Sequence, residues 1–218
     1  MASTKLFLIR HGQSAGNAEG RFGGHGPTPL SDLGRRQAEA TARHLSEEGI
    51  SAIYSSDLHR ALETASELAK LTGLEVNKTK AFRERHVGVL EGLTFDESRE
   101  NHPRDYYALV NREVHHVITK GESYSQLLDR TKKKLWDIIR RHEGERVAIF
   151  SHTGAICFMT LHLMGAINRR TQRTPWIVTS NCGINRFEIR PRRNIRVLAI
   201  NDTRHLLDIT GNDSFAAR

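Results

Sequence analysis

Lys5-Leu6-Phe7-Leu8-Ile9-Arg10-His11-Gly12 opens with an apolar run that stops on a cationic pair and a glycine. The run is short and does not alternate, so it reads as a buried strand. Ser31 is the expected N-cap of a helix from Asp32 to about Glu48, with Leu33, Ala38, Ala42 and Leu45 at roughly helical spacing and Gly49 as its stop. Ile50–Ser55 returns to strand character. A helix from about Leu58 to Leu71 then ends at Gly73, and Leu74–Thr79 is a short strand. Strand, helix, strand, helix, strand is the pattern of a parallel sheet with helical crossovers.

Periodicity weakens between Ala81 and Gly121. Gly88 and Gly92 suggest tight turns, Thr94 with Glu97 makes a capping box, and Pro103 interrupts the helix that the box opens. A second short helix holds Tyr106, Leu109 and Val110, and the segment about 93–121 reads as a partly apolar lid inserted over the sheet. Ser123 with Gln126 opens a helix to about His142. Val147–Phe150 is a strand that ends on Ser151-His152-Thr153-Gly154, followed by an apolar helix through Leu163. Trp176–Ser180, Asn185–Ile189 and Ile195–Ile200 complete the expected strands. The expected fold is one α/β domain over residues 1–218: a three-layer sandwich with a mostly parallel central sheet, helices on both faces and the small helical lid.

The composition fits an ordinary folded domain. Hydrophobic residues make up 38% of 218, beside 17 glycines, which argues against disorder and against a coiled coil. Cys157 and Cys182 are too few for a disulfide scaffold and read as buried thiols in a reducing compartment. The opening apolar run is too short for a signal peptide, and no segment has the length of a membrane helix, so a soluble cytoplasmic protein is expected. The net charge of +8 is concentrated: Ala166–Arg204 holds nine arginines against Glu188 and Asp202 alone. Such a face can steer small anions or bind nucleic acid. Aromatic residues are only 6% and none interrupts Arg190-Pro191-Arg192-Arg193, so the stacking element of single-strand recognition is missing. A basic nucleic-acid-binding module is therefore the alternative of another class, not the preferred reading.

Three polar clusters follow expected strands: Arg10-His11-Gly12, Ser56-Asp57-Leu58-His59-Arg60 and Ser151-His152-Thr153-Gly154. Ligands of open parallel sheets bind beyond the carboxyl ends of the strands. Two histidines, two arginines and helix N-terminal amides at that edge would make an anion pocket. One such histidine alone would more often be a cap.

Arg10-His11-Gly12-Gln13-Ser14-Ala15-Gly16-Asn17, Pro29–Ala38, Ser55–Ala65, Phe82-Arg83-Glu84 with Gly88 and Glu91-Gly92, Gly121-Glu122-Ser123, Ser151–Gly154 and Ser180–Ile184 occur in that order. The series resembles the histidine phosphatase superfamily, the phosphoglycerate-mutase-like group. That resemblance implies phosphoryl transfer through a phosphohistidine on His11, with Arg10, Arg60 and His152 holding the phosphoryl oxygens. Glu84 would serve as acid and then base, and Asn17 and Gly23 would contact the phosphate. His86 and Glu122 are candidates for substrate contact. Asp57 reads as a cap or an arginine partner. No metal and no cofactor are implied, and no H-E-x-x-H pattern occurs. The expected partner is a small phosphomonoester substrate, with neither nucleic acid nor membrane; a homodimer is left open. A phosphatase is preferred over a cofactor-dependent phosphoglycerate mutase, because Asn101–Val117 offers Arg104 and Arg112 but no adjacent arginine pair. The leaving group stays open.

Overall fold

A computed structural model describes residues 3–209; the outermost parts of the expected domain, residues 1–2 and 210–218, lie outside it. The first apolar run forms β1 (Thr4–Arg10). Next come the four-residue helix α1 (Ala15–Ala18), α2 (Asp32–Ser46), β2 (Ala52–Ser56), α3 (His59–Thr72) and β3 (Val76–Thr79). Ser31 caps α2 by accepting from the Gly34 amide, and Gly73 ends α3 in the left-handed conformation at φ 72°. The lid segment holds α4 (Phe95–Asn101) and α5 (Pro103–Val110). α6 (Tyr124–Arg141), β4 (Arg146–Ser151), α7 (Thr153–Leu163), β5 (Ile184–Arg190) and β6 (Asn194–Asp202) follow. Both expected capping boxes, Thr94 with Glu97 and Ser123 with Gln126, are formed. Pro103 does not merely interrupt a helix: it occupies the first turn of α5, where its missing N–H costs nothing.

The strands lie in the order β3-β2-β4-β1-β5-β6. The first four are mutually parallel, whereas β5 runs antiparallel to β1 and β6 antiparallel to β5. The sheet is therefore mixed, with a parallel half that carries the loops of interest. β1 and β4 send alternate residues to opposite faces. Leu6, Leu8, Val147 and Ile149 join the core beneath α6 and α7, while Phe7, Ile9, Ala148 and Phe150 join the one beneath α2 and α3. Burial on both faces explains why these strands read as continuous apolar runs. Each such side chain contributes roughly 1.5–3 kcal/mol on burial.

Trp176–Ser180 is not a strand. The segment runs as irregular chain, its Ile177 amide donating to Cys157 Sγ and its Thr179 carbonyl accepting from Arg10. The place beside β1 is taken by β5 instead.

Candidate active site

β2, β4 and β1 lie side by side and parallel, so Ser56, Ser151 and Arg10 finish at one edge of the sheet. The loops after β2 and β4 lead directly into α3 and α7, whose free amides face that edge. The loop after β1 is pressed onto α2: a Cβ at Gly12 would lie 2.4 Å from the Gly34 carbonyl oxygen, so only glycine fits.

His11 is 4% exposed, and its ring centroid lies 5.0 Å from that of His152. Its Nδ1 is 2.7 Å from the Gly12 carbonyl oxygen. A carbonyl only accepts, so Nδ1 carries the proton and Nε2 keeps its lone pair. Arg60 Nε donates to that lone pair at 3.2 Å. Burial, then the charges of Arg60 and Arg10, hold the imidazole well below its ordinary range. His11 is thus neutral at pH 7, with Nε2 as the available nucleophilic atom. His152 is wholly buried, with Nε2 2.8 Å from Ser56 Oγ, and burial followed by the Arg60 charge holds it low as well. Its buried Nδ1 has no hydrogen-bond partner among the described residues.

Arg10 donates to the Thr179 carbonyl. Arg60 donates to the carbonyls of Gly24 (2.8 Å) and Gly26 (3.1 Å), which wraps the loop around its guanidinium with Gly23 alongside. Burial lowers Arg60 to about 10, which leaves it charged at neutral pH. Asn17 reaches back to the Ser14 amide in a third capping box, and Asn181 donates both to Asn17 Oδ1 and to the His11 carbonyl.

Glu84 lines the same space. Its carboxylate accepts from the amides of Gly154 (3.0 Å) and Ala155 (3.2 Å) in the first turn of α7, and from the Arg85 amide (2.9 Å). A helix N-terminus suits a carboxylate. The backbone on either side is held by Arg130 of α6, which donates to the carbonyls of Ala81, Arg83 and Glu84, and by His25, whose Nε2 lies 2.8 Å from the Glu84 carbonyl.

His11, Arg10, Arg60, Asn17, Gly23 and Glu84 all line one cavity of about 360 Å³, and His152 lies directly behind His11. His86 and Glu122 are not on its wall. Glu122 is occupied by an ion pair with Arg130 and by the His86 amide, whereas the His86 ring turns edge-on to His25 near Glu91. Glu122 thus braces the loop that carries Glu84, while the His86 ring stays part-exposed beside His25. Asp57 is an arginine partner: Arg83 grips it through two bonds of 2.6 and 2.7 Å, which hold its carboxyl below the usual range. Sequence reasoning missed Arg130, His25 and Arg85, for no local motif marks a side chain that acts from a distant helix or loop. It also missed the aromatic wall of Phe22, Phe95, Tyr124 and Trp176, scattered over more than 150 positions. The lid residues Tyr106, Leu109 and Val110 line the cavity, whereas the neighbouring Tyr107 is 51% exposed.

Among the described residues no group of three or more His, Cys, Asp or Glu could hold a metal ion, and no helix is long and apolar enough to cross a membrane. Burial pushes both Cys157 and Cys182 thiols up to about 12. Much of the arginine-rich stretch is paired: Arg186 with Glu48 and Asp202, Arg190 and Arg196 with Glu188, Arg204 with Asp202.

Residues 6–203 match the model of the histidine phosphatase superfamily (branch 1). The chain is 41% identical over 155 residues to phosphoglycerate mutase-like protein 4 of Arabidopsis thaliana, covering 70% of this chain and 67% of that protein. It is 39% identical over 166 residues to a metal-independent phosphoserine phosphatase of the same plant, covering 75% and 70%. Among solved structures, the mycobacterial glucosyl-3-phosphoglycerate phosphatase in complex with VO3 superposes with a TM-score of 0.82 at 26% identity, covering 91% of this chain and 99% of that one.

Proposed function

The chain belongs to the histidine phosphatase superfamily, and from that premise we propose that it hydrolyses the phosphomonoester of a small metabolite through a phosphohistidine on His11, without a metal ion. The observation that carries this reading is the neutral His11, with its Nε2 lone pair held by Arg60 in the same cavity that Glu84 lines. Nε2 attacks phosphorus in line with the leaving oxygen. Arg10, Arg60 and His152 stabilise the charge on the equatorial oxygens, and Asn17 and the Gly23 loop close around the phosphate. If Ser56 donates to Nε2 of His152, the proton of that ring sits on the unpartnered Nδ1, ready for an oxygen. Glu84, as the general acid, gives its proton to the departing alkoxide. Glu84 then takes a proton from the water that cleaves the N–P bond, releasing inorganic phosphate. Names of relatives on both the phosphoserine phosphatase and glucosyl-3-phosphoglycerate phosphatase side support hydrolysis.

The mutase-like name of one relative favours a second reading, transfer of the phosphoryl group to another hydroxyl. Release of inorganic phosphate from a phosphomonoester panel in the presence of EDTA tests the first reading. Interconversion of 3- and 2-phosphoglycerate tests the second. Hydrolysis is sunk if the panel yields no phosphate while interconversion proceeds. We further read the protein as a cytoplasmic enzyme of one domain, whose lid segment 93–121 contacts the leaving group. The pairing of its arginines supports a small-molecule partner over nucleic acid.

A further inference from the structure

Away from the phosphate-holding end, the cavity wall offers rings and aliphatic side chains. Phe22, Val87 and Leu109 face it from a small buried cluster closed by Leu90 and Ile118, against which Phe95 and Tyr106 pack. The Phe22 and Phe95 rings meet at 4.6 Å between centroids. Two guanidiniums border this wall, those of Arg85 and Arg112; both lie over rings, and the buried Nη1 of Arg85 has no hydrogen-bond partner among the described residues. Tyr124 is clasped between the Phe158 ring at 4.5 Å and the Arg85 guanidinium at 3.8 Å. Arg85 is 2% exposed and donates to the carbonyls of Glu122 and His116. Arg112, held at a left-handed φ of 56°, lies across the face of Trp176 at 5.1 Å.

A leaving group rich in ammonium or hydroxyl would lose its water against the rings of Phe22, Phe95 and Tyr106 and regain bonds there from none of them, which lowers affinity, and only Arg85 and Arg112 could return bonds to a carboxylate. A flat apolar group would instead displace water from rings that cannot bond to it, a favourable exchange that grows with the area covered. Resting on the phosphatase reading above, we propose that the esters this site hydrolyses best are phosphates of apolar, ring-bearing alcohols, selected by Phe22, Phe95, Tyr106 and Leu109.

The test compares four phosphates of primary alcohols: 2-phenylethyl phosphate, ethyl phosphate, O-phospho-L-serine and 3-phosphoglycerate. The chemistry at phosphorus is closely matched, and the two polar esters have if anything the better leaving groups. The expected result is a kcat/KM for 2-phenylethyl phosphate at least tenfold above each of the others. Phe95→Ala in α4 and Tyr106→Ala in α5 should each narrow the ratio of 2-phenylethyl to ethyl phosphate at least threefold, a ratio that partial unfolding leaves untouched. Equal or better turnover of phosphoserine or 3-phosphoglycerate would overturn the apolar preference and leave the phosphatase reading standing, with Arg112 then receiving the substrate's carboxylate. A ratio unchanged in both variants would overturn the role of the wall. No turnover of any ester and no acid-labile phosphate on His11 would remove both proposals together.

Discussion

Gly154→Ala tests the site through a position with no functional group of its own. A Cβ at residue 154 would stand 2.4 Å from Glu84 Oε1 and 3.3 Å from its Cδ. Ordinary contact begins near 3.5 Å, so the carboxylate must retreat by about 1 Å. That movement breaks or stretches the bonds from the Gly154 and Ala155 amides. A hydrogen bond to a charged group is worth about 1.5–3 kcal/mol net, while alanine for glycine inside a helix returns up to about 1 kcal/mol. The net loss of stability is about 1 kcal/mol, or roughly 2–4 °C in Tm for a chain of this size. Activity should suffer more. Misplacing a reacting group by about 1 Å costs on the order of a hundredfold, and the whole contribution of a general acid is about 10²–10⁴. We therefore expect kcat/KM for an alkyl phosphate to fall about a hundredfold. The rate of phosphoenzyme formation from p-nitrophenyl phosphate, whose leaving group needs no proton, should fall less than about fivefold. Rapid-quench bursts with both esters, beside a thermal melt, make the measurement. Equal loss of burst rate with the two esters would show that Glu84 is not the acid. Wild-type rates on the alkyl ester would show that it does not work from the N-terminus of α7.

Three further outcomes follow from the same geometry. His11→Ala should lower turnover at least about a thousandfold and abolish an acid-labile, base-stable label from phosphorylated substrate; a label that persists would place the nucleophile elsewhere. Because burial and two arginines hold His11 well below 6.5, kcat/KM should show no loss from His11 protonation at pH 6.5 and should decline only in more acidic buffer. A half-maximal rate at pH 6.5 with a substrate whose own ionisation is accounted for would contradict this. Stability should show the matching linkage. His11 and His152 are held low, and His205, half-buried beside His44, is held at about 4, all below the unfolded value near 6.5. The unfolded chain then binds more protons below pH 6.5, so stability is fully present above that pH and is lost as the pH falls toward 4. His205→Asn should flatten that slope in urea melts; an unchanged slope would refute its share.

The parallel half of the fold was legible because its elements announce themselves locally. β1 and β4 are unbroken apolar runs, and the N-cap of α2 and the boxes of α4 and α6 consist of residues one to four positions apart. The same holds for the cationic end of the cavity, since Arg10 ends β1, and His11, Arg60 and His152 follow strands β1, β2 and β4 within four residues. Legibility failed where partners come from far along the chain. Trp176–Ser180 has the composition of a strand, yet its carbonyls and amides serve Arg10 and Cys157 rather than a ladder. Nothing local to Glu84 or Glu122 reveals that Arg130, on a helix 46 positions from Glu84, holds both the Glu122 carboxylate and the Glu84 carbonyl. The aromatic wall is the extreme case, drawn from two lid helices, two loops and the first turn of α6.

The state of the two histidines depends on how the two arginines beside them are held. Arg10 and Arg60 are 2% and 3% exposed. A carboxylate partner would have stabilised each guanidinium but would also have cancelled the charge that a phosphate dianion needs to meet. Arg60 donates to neutral acceptors, the carbonyls of Gly24 and Gly26, the Thr28 hydroxyl and His11 Nε2, and Arg10 donates to the Thr179 carbonyl. Carbonyl dipoles satisfy the N–H groups and leave the positive field largely intact. That field, added to burial, holds the His11 and His152 imidazoles well below their ordinary range, so on the proposed mechanism the charges that would attract the substrate also keep the lone pair of His11 free. Glu84, the nearest carboxylate, is directed to the backbone amides of α7 and Arg85. It thereby stays within proton-transfer reach of the cavity without forming an ion pair that would neutralise it.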